Sequence, residues 1–115
     1  MTKRTKALQF STETKRIIYQ REGGECFFCA ARYQMPANWK QYKFDMEIKD
    51  IMHFVNKSAG GLGIEQNGVL GCRMHHHLLD NGNRGLRMEM LSMMEEYLKS
   101  RYPGWNKEDL YYKKG

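Results

Sequence analysis

Two pairs of metal-ligand residues stand at the same short spacing in this sequence. Two residues separate Cys26 from Cys29, and further along the chain Cys72 and His75 repeat that spacing with histidine in the last place. Zinc prefers thiolate and imidazole ligands in a tetrahedron, and ligands two residues apart can reach one ion from one tight turn. The pattern predicts a structural Cys₃His zinc site. The alternative is that the three cysteines are buried free thiols.

The size and composition of the chain favour such a site. The 115 residues form one small domain, and 41% hydrophobic residues with 12% aromatic residues give only a thin core. Three cysteines is an odd number, and disulfides are rare in reducing compartments, which favours a metal over a disulfide framework. A zinc ion that joins residues 26 and 72 would supply part of the missing stability.

A run of three histidines follows the second pair. Consecutive residues on a helix point about 100° apart, so His75, His76 and His77 cannot all bind one ion. If His75 completes the zinc site, His76 faces elsewhere, and Asp80 lies one turn further on the same side. His76 and Asp80 are therefore a candidate pair of ligands for a harder divalent cation. The alternative is an exposed polar helix face.

A longer pattern surrounds these residues. The run from Asp50 to Cys72, DIMHFVNKSAGGLGIEQNGVLGC, places His53 before a glycine-rich turn and Asn67 after it, and His76 and Asp80 follow. Together with the two cysteine pairs, this order and spacing resembles the HNH endonucleases, particularly small members from phages and prophages. The resemblance covers about residues 12 to 85.

The resemblance implies a fold, an activity and a set of site residues. It implies an α+β chain with a ββα-metal (His-Me finger) core at about residues 44–82 that hydrolyses DNA phosphodiester bonds. His53 matches the general base, Asn67 the middle asparagine and His76 the ligand of a catalytic cation, which is Mg²⁺ or another divalent ion. An imidazole with a pKa near 6.5 can accept a proton from water at neutral pH. A cation on His76 and Asp80 would stabilise the leaving 3′ oxygen.

Two positions depart from the family pattern. Many HNH proteins have a metal-binding aspartate or histidine directly before the base, where this chain has Met52, which cannot bind a hard cation. Asp50 shares the Met52 face of a strand and is a possible substitute. His75 replaces the usual fourth cysteine, which zinc tolerates. Met52 motivates a second hypothesis, a catalytically weak or inactive HNH-fold zinc module that binds nucleic acid or assists phage DNA packaging. A protein-binding zinc module is a third, which leaves His53 and Asn67 without a role.

The charge of the chain favours DNA as a partner. The formal net charge is +6, and four basic residues near the candidate site are possible phosphate contacts: Lys57, Arg73, Arg84 and Arg87. Other phage DNA-processing proteins are possible partners. Neither a membrane span nor a secretory signal is recognisable, which predicts a cytoplasmic protein, in the bacterial host if it is phage-encoded.

The elements that position these residues follow from local patterns. We predict a mobile basic arm at 1–10 and one domain at 11–115, which the resemblance to the HNH family implies is a nuclease domain. Within it we predict a helix at about 12–21 with Ser11 as its N-cap, one or two strands over 44–55, a glycine turn at 58–63 and a strand at 68–71. Helices at 73–81 and about 86–101 follow, and an aromatic tail to 115 packs back on the domain.

Overall fold

The computed structural model describes residues 1–81 and 85–114. Eight helices and strands follow one another: α1 (Lys3–Leu8), α2 (Thr12–Arg21), α3 (Phe27–Ala30), α4 (Lys43–Glu47), β1 (Lys49–His53), β2 (Gly68–Cys72), α5 (Arg73–Asn81) and α6 (Arg87–Arg101). Short 3₁₀ helices lie at Trp39–Tyr42, Lys57–Ala59, Glu65–Asn67 and Lys107–Leu110. The architecture is α+β, as the sequence predicts.

A strand–strand–helix unit forms the centre of the chain. β1 and β2 pair antiparallel, with Lys49 opposite Cys72 and His53 opposite Gly68. α5 begins at the residue after β2. Because Cys72 ends the strand and His75 lies in the first turn of α5, the second predicted ligand pair is placed at this junction.

Three of the predicted helices are confirmed. α2 and α5 have the predicted bounds, and α6 begins one residue after the predicted start. Ser11 is the N-cap of α2, where its hydroxyl accepts a hydrogen bond from the Thr14 N–H at 3.1 Å. On α6 the fully buried side chains are Met90, Met94 and Leu98.

The strand predicted from Phe44 to Ile48 is wrong, because this segment contains helix α4. Phe44, Met46 and Ile48 alternate with polar residues, which is the pattern typical of a half-buried strand. However, β2 is five residues long, pairs with Lys49–His53 and passes directly into α5. No strand therefore lies opposite residues 44–48. The alternating pattern does not bury one face either, since Phe44 is 69% exposed.

The predicted mobile arm is instead a helix followed by a packed segment. Thr2 caps α1, and Leu8 is only 4% exposed. The Ala7 carbonyl accepts a hydrogen bond from the Gly63 N–H at 2.9 Å. A Cβ on Gly63 would lie 2.2 Å from the Gln9 backbone, so only glycine permits this close approach. At the end of the basic stretch Leu8 is buried and Phe10 is half-buried, while the charged residues Lys3, Arg4 and Lys6 are exposed.

A buried ion pair attaches α2 to the free edge of β2. The Arg21 guanidinium donates to the Glu22 carboxylate and to the Gly68 carbonyl, and the Leu70 N–H donates to Glu22 at 3.1 Å. The backbone groups of an edge strand need partners. These two adjacent side chains supply them for β2, while Tyr97 of α6 also donates to Glu22.

The C-terminal tail packs back on the chain as predicted. Leu110 is buried, its carbonyl accepts from the Leu62 N–H at 2.8 Å, and Tyr111 forms a β-bridge with Gly61. The tail thus closes over the loop between the strands. Among the described residues, no helix combines the length and apolar character that a bilayer span requires.

Candidate functional site

The four predicted zinc ligands come together in one cluster. The ligand atoms of Cys26, Cys29, Cys72 and His75 all lie within 4.8 Å of one another. The Cys29 and Cys72 sulfurs are 3.7 Å apart, and His75 Nδ1 lies 3.3 to 3.6 Å from the three sulfurs. A tetrahedron with Zn–S of about 2.3 Å and Zn–N of about 2.0–2.1 Å has edges of about 3.6 to 3.8 Å. The cluster could therefore hold a metal ion such as zinc.

Two equivalent turns present these ligands. The Cys29 N–H donates to the Cys26 sulfur, and the His75 N–H donates to the Cys72 sulfur, both at 3.4 Å. The first turn opens α3 and the second opens α5. His75 Nε2 donates to the Tyr33 carbonyl at 2.7 Å, which leaves Nδ1 as the nitrogen with a free lone pair. The ring is thus oriented for a metal before one binds.

The protonation of the cluster follows from its short contacts. Hydrogen bonds from Cys29 and Cys72 lower the pKa of Cys26, against the effect of burial. Burial would lower the pKa of His75, but hydrogen bonds with the Cys26 and Cys72 sulfurs raise it to about 10. The metal-free cluster therefore stabilises a thiolate beside a protonated imidazole, and a metal ion would displace that proton.

A second group of predicted residues lines a cleft of about 580 Å³. His53 enters it from the end of β1, and His76 and Asp80 enter from α5. His76 Nε2 and Asp80 Oδ2 are 3.1 Å apart, one helical turn from each other. The structure thus brings the predicted base and the predicted cation ligands to the same cleft.

His53 is held by the N-terminal segment, which sequence reasoning missed. His53 Nε2 donates to the Leu8 carbonyl at 3.0 Å, and the Phe10 ring lies 4.3 Å from the imidazole, centroid to centroid. Burial lowers the pKa of His53, as do the charges of Lys57 and His76, whereas the Leu8 carbonyl and Asp50 raise it. The net result is an imidazole that is neutral at pH 7, with Nδ1 as its unprotonated nitrogen.

Asn67 braces the loop between the two strands. Its side chain is fully buried, and Oδ1 accepts from the Val55 N–H at 2.7 Å. Nδ2 donates to the carbonyls of Val55 and Leu62 at 3.1 and 2.8 Å. The predicted middle asparagine therefore contacts backbone and fixes the chain that leaves His53.

Met52 does not face the cleft. Its side chain is 0% exposed and belongs to the core, where a Cβ on Gly71 would lie 2.4 Å from it. Asp50 lines the cleft near His53 and accepts a hydrogen bond from the Ile51 N–H. Within residues 1–81 and 85–114, the Cys₃His cluster is the one group in which three or more ligand atoms converge. The cleft contains two candidate cation ligands that lie side by side, His76 and Asp80.

The predicted phosphate contacts occupy different settings. Lys57 lines the cleft, and exposed Arg73 lies 3.7 Å from Asp45. Arg87 donates to the Leu79 carbonyl and to Asn56 Oδ1, so structural contacts occupy its guanidinium. Arg84 lies outside the described residues.

The cleft also contains residues that the sequence analysis did not select: Gln9, Phe10 and Lys15. The sequence signal for Phe10 was that Leu8 and Phe10 are apolar residues at the end of the basic stretch. Lys15 on α2 adds a positive charge to the rim. Comparison with protein-family models, with curated proteins and with solved structures gives no match for this chain.

Proposed function

We propose that this protein is a metal-dependent endonuclease of the HNH type, which hydrolyses DNA phosphodiester bonds. One observation carries the proposal: a neutral, oriented imidazole and a histidine–aspartate pair line the same cleft. Lysines on the rim of that cleft suit a phosphate substrate. The order of His53, Asn67 and His76 along the chain agrees with the resemblance to the HNH family.

The chemistry assigns a separate task to each side of the cleft. His53 Nδ1 takes a proton from water, whose oxygen attacks phosphorus while the bond to the 3′ oxygen breaks. The leaving 3′ oxygen takes a proton from solvent water, and His53 returns its extra proton to solvent. The products are a 5′-phosphate and a 3′-hydroxyl. A divalent cation held by His76 and Asp80 would stabilise the negative charge on the leaving oxygen. Because imidazole suits Ni²⁺ or Zn²⁺ better than Mg²⁺, we expect Mg²⁺ to activate less than Ni²⁺.

The proposal assigns a structural role to zinc. An ion on the Cys₃His cluster would join the turn before α3 to the β2–α5 junction, and so connect the N-terminal half to the strand–strand–helix unit. The same unit, two antiparallel strands followed by a helix, supports its interpretation as a ββα-metal fold. A structural zinc of this kind contributes directly to the folding free energy.

The burial of Met52 favours a second candidate function. Met52 is apolar and buried, so it cannot bind a cation in the cleft. The cation would then have two protein ligands from α5, His76 and Asp80, and Asp50 of the cleft lining is the possible substitute for the ligand missing at position 52. The candidate is a zinc-stabilised module that binds nucleic acid, or assists DNA packaging, with little or no catalysis.

Nicking of supercoiled plasmid distinguishes the two functions. Zinc-loaded protein is assayed with Mg²⁺, Mn²⁺ or Ni²⁺ and without added cation, beside His53→Ala and His76→Ala prepared identically. Tyr19→Ala, an exposed residue of α2 outside the cleft, is the matched control. The nuclease proposal expects cation-dependent nicking by the parent and the control, and much slower nicking by the two histidine variants at the same cation concentration. DNA binding without nicking under any cation would favour the second candidate.

A further inference from the structure

The exposed stripe of α5 lines three depressions that join into one groove. Arg73, His76, His77 and Asp80 follow one another at helical spacing on the same side of the helix. His76 and Asp80 line both the His53 cleft and a second depression. Arg73 and His77 line both that second depression and a third, of about 550 Å³. We call this continuous surface the α5 groove. The nine residues of α5 extend about 13.5 Å, which equals about four stacked nucleotides at 3.4 Å each.

Exposed aromatic residues mark the end of the groove that is distant from His53. Tyr42 lines the third depression and is 38% exposed, and Trp39 and Phe44 nearby are 45% and 69% exposed. Residues 39–44, the aromatic segment, also contain Lys40 and Lys43 and no acidic residue. Exposed apolar patches on soluble proteins often mark binding sites. The segment therefore has the composition of a surface that stacks nucleic-acid bases between phosphate contacts.

The lining of the groove indicates which part of a nucleic acid it would accept. Asp45 and Asp50 lie in it and would repel phosphates, whereas Gln34, His77 and Asn81 offer hydrogen-bonding groups to base edges. Arg73 lines the groove beside Tyr42, and Lys15 and Lys57 line its His53 end. Lys40 and Lys43 lie close to Tyr42 in the sequence. This arrangement suits bases in the groove with the backbone toward its basic side. In a duplex the base faces are already stacked on one another, so stacking on Tyr42 requires unpaired nucleotides.

We infer that the α5 groove binds an unpaired stretch of DNA, with one base stacked on Tyr42, and that the substrate is DNA with a single-stranded segment beside the scissile bond. The inference rests on the proposed function, since it takes the His53 cleft as the place where the strand is cut. A protein partner is the competing occupant of the aromatic segment. The positive charges of Lys40 and Lys43, and the continuity of the groove with the His53 cleft, favour nucleic acid.

Binding measurements test this inference without relying on cleavage. Dissociation constants are measured by fluorescence anisotropy for a labelled 12-nucleotide strand, the matched blunt duplex and the same duplex with a single-stranded tail. The zinc-loaded full chain is used without other divalent cations. The parent should bind the single strand and the tailed duplex more tightly than the blunt duplex. Tyr42→Ala should weaken single-strand binding by about 5- to 150-fold, because stacking contributes about 1–3 kcal/mol per base.

Two further variants separate stacking from damage to the fold. Tyr42→Phe keeps the ring and should bind the single strand like the parent. Tyr19→Ala removes an exposed tyrosine of α2 that does not line the groove, and should also leave binding unchanged. Circular dichroism confirms that each variant is folded. Equal single-strand affinity of folded Tyr42→Ala and the parent would overturn the inference.

The remaining outcomes separate this inference from the nuclease proposal. If Tyr42→Ala abolishes self-association in sedimentation velocity while DNA binding is unchanged, the aromatic segment is a protein interface and the inference is overturned. If the parent nicks plasmid but prefers blunt duplex, the inference fails alone. If the parent binds single strands through Tyr42 yet cleaves nothing with any cation, the nuclease proposal fails and the groove assignment is supported.

Discussion

The imidazole of His53 donates its Nε2 proton to the backbone carbonyl of Leu8, at 3.0 Å, across 45 residues of sequence. A carbonyl oxygen can only accept, so this bond selects the tautomer in which Nδ1 is unprotonated. The N-terminal segment therefore determines which nitrogen of the proposed general base is free. The ring of Phe10 then shields the imidazole from water.

Removing that shield should change the acidity of His53. Burial is the largest cause of the lowered His53 pKa, and Phe10 lies directly against the ring. In Phe10→Ala we expect the His53 pKa to rise toward its ordinary value near 6.5. Because Phe10 is half-buried, we expect a loss of about 0.5–3 kcal/mol in the free energy of unfolding. An NMR titration of the His53 ring proton measures the pKa, with Tyr19→Ala as control. An unchanged pKa in folded Phe10→Ala would contradict the role of this segment.

Stability should depend on pH through the same residue. The unfolded chain binds a proton at His53 near pH 6.5, while the folded chain binds it at lower pH because its pKa is lowered. The folded state therefore loses stability as the pH falls through 6.5, and the loss stops growing below the folded pKa. Urea unfolding at pH 7.5 and 5.5 should show a larger loss for the parent than for His53→Gln. Equal losses would indicate that His53 has its ordinary pKa.

Replacing a cysteine of the metal cluster should destabilise the chain, not merely slow a reaction. Cys26→Ser or Cys72→Ser should remove bound zinc and lower the melting temperature, because the ion joins separate parts of the fold. His77→Ala should keep the zinc, since that side chain is exposed and lies outside the cluster. Metal analysis by mass spectrometry with thermal unfolding checks both. Well-folded parent protein without zinc would refute the assignment.

Replacing Asn67 should lower the stability of the fold, because its side chain contacts backbone groups. Asn67→Ala would remove one acceptor and two donors from a buried site and leave the backbone groups of Val55 and Leu62 without partners. We expect a loss of roughly 3 kcal/mol, since each unsatisfied buried group costs about 1–3 kcal/mol. Chemical denaturation measures this directly. A variant as stable as the parent would mean that the loop does not depend on Asn67.

The sequence predicts the metal cluster well because its determinants are local. Each ligand pair lies within one tight turn, so residue type and spacing define half of the site, and the antiparallel strands bring the halves together. Helix α5 is equally local, since its buried residues recur at helical spacing and its first turn contains the last zinc ligand. Such features need no knowledge of the rest of the fold.

The contacts that the sequence did not predict join distant segments. Nothing in the sequence near Leu8 indicates that its carbonyl meets His53. The sequence also does not show where the Met52 side chain lies. Strand alternation places Met52 and Asp50 on one face of β1. However, Asp50 is exposed near the start of the strand, whereas Met52 is buried in the core. The pairing of the strands also decides that residues 44–48 are not a strand. All five residues of β2 pair with Lys49–His53, so residues 44–48 have no strand partner in β2.

The cleavage rate as a function of Mn²⁺ concentration, measured in single turnovers for the parent, His53→Ala and His76→Ala, tests the central claim most directly. His53→Ala should cleave about 10² to 10⁴ times more slowly at every Mn²⁺ concentration, because it lacks the base and keeps the cation ligands. His76→Ala should need more Mn²⁺ and recover part of its activity when the concentration is raised. If folded, zinc-loaded His53→Ala cleaves DNA as fast as the parent, the proposed mechanism is wrong for this chain.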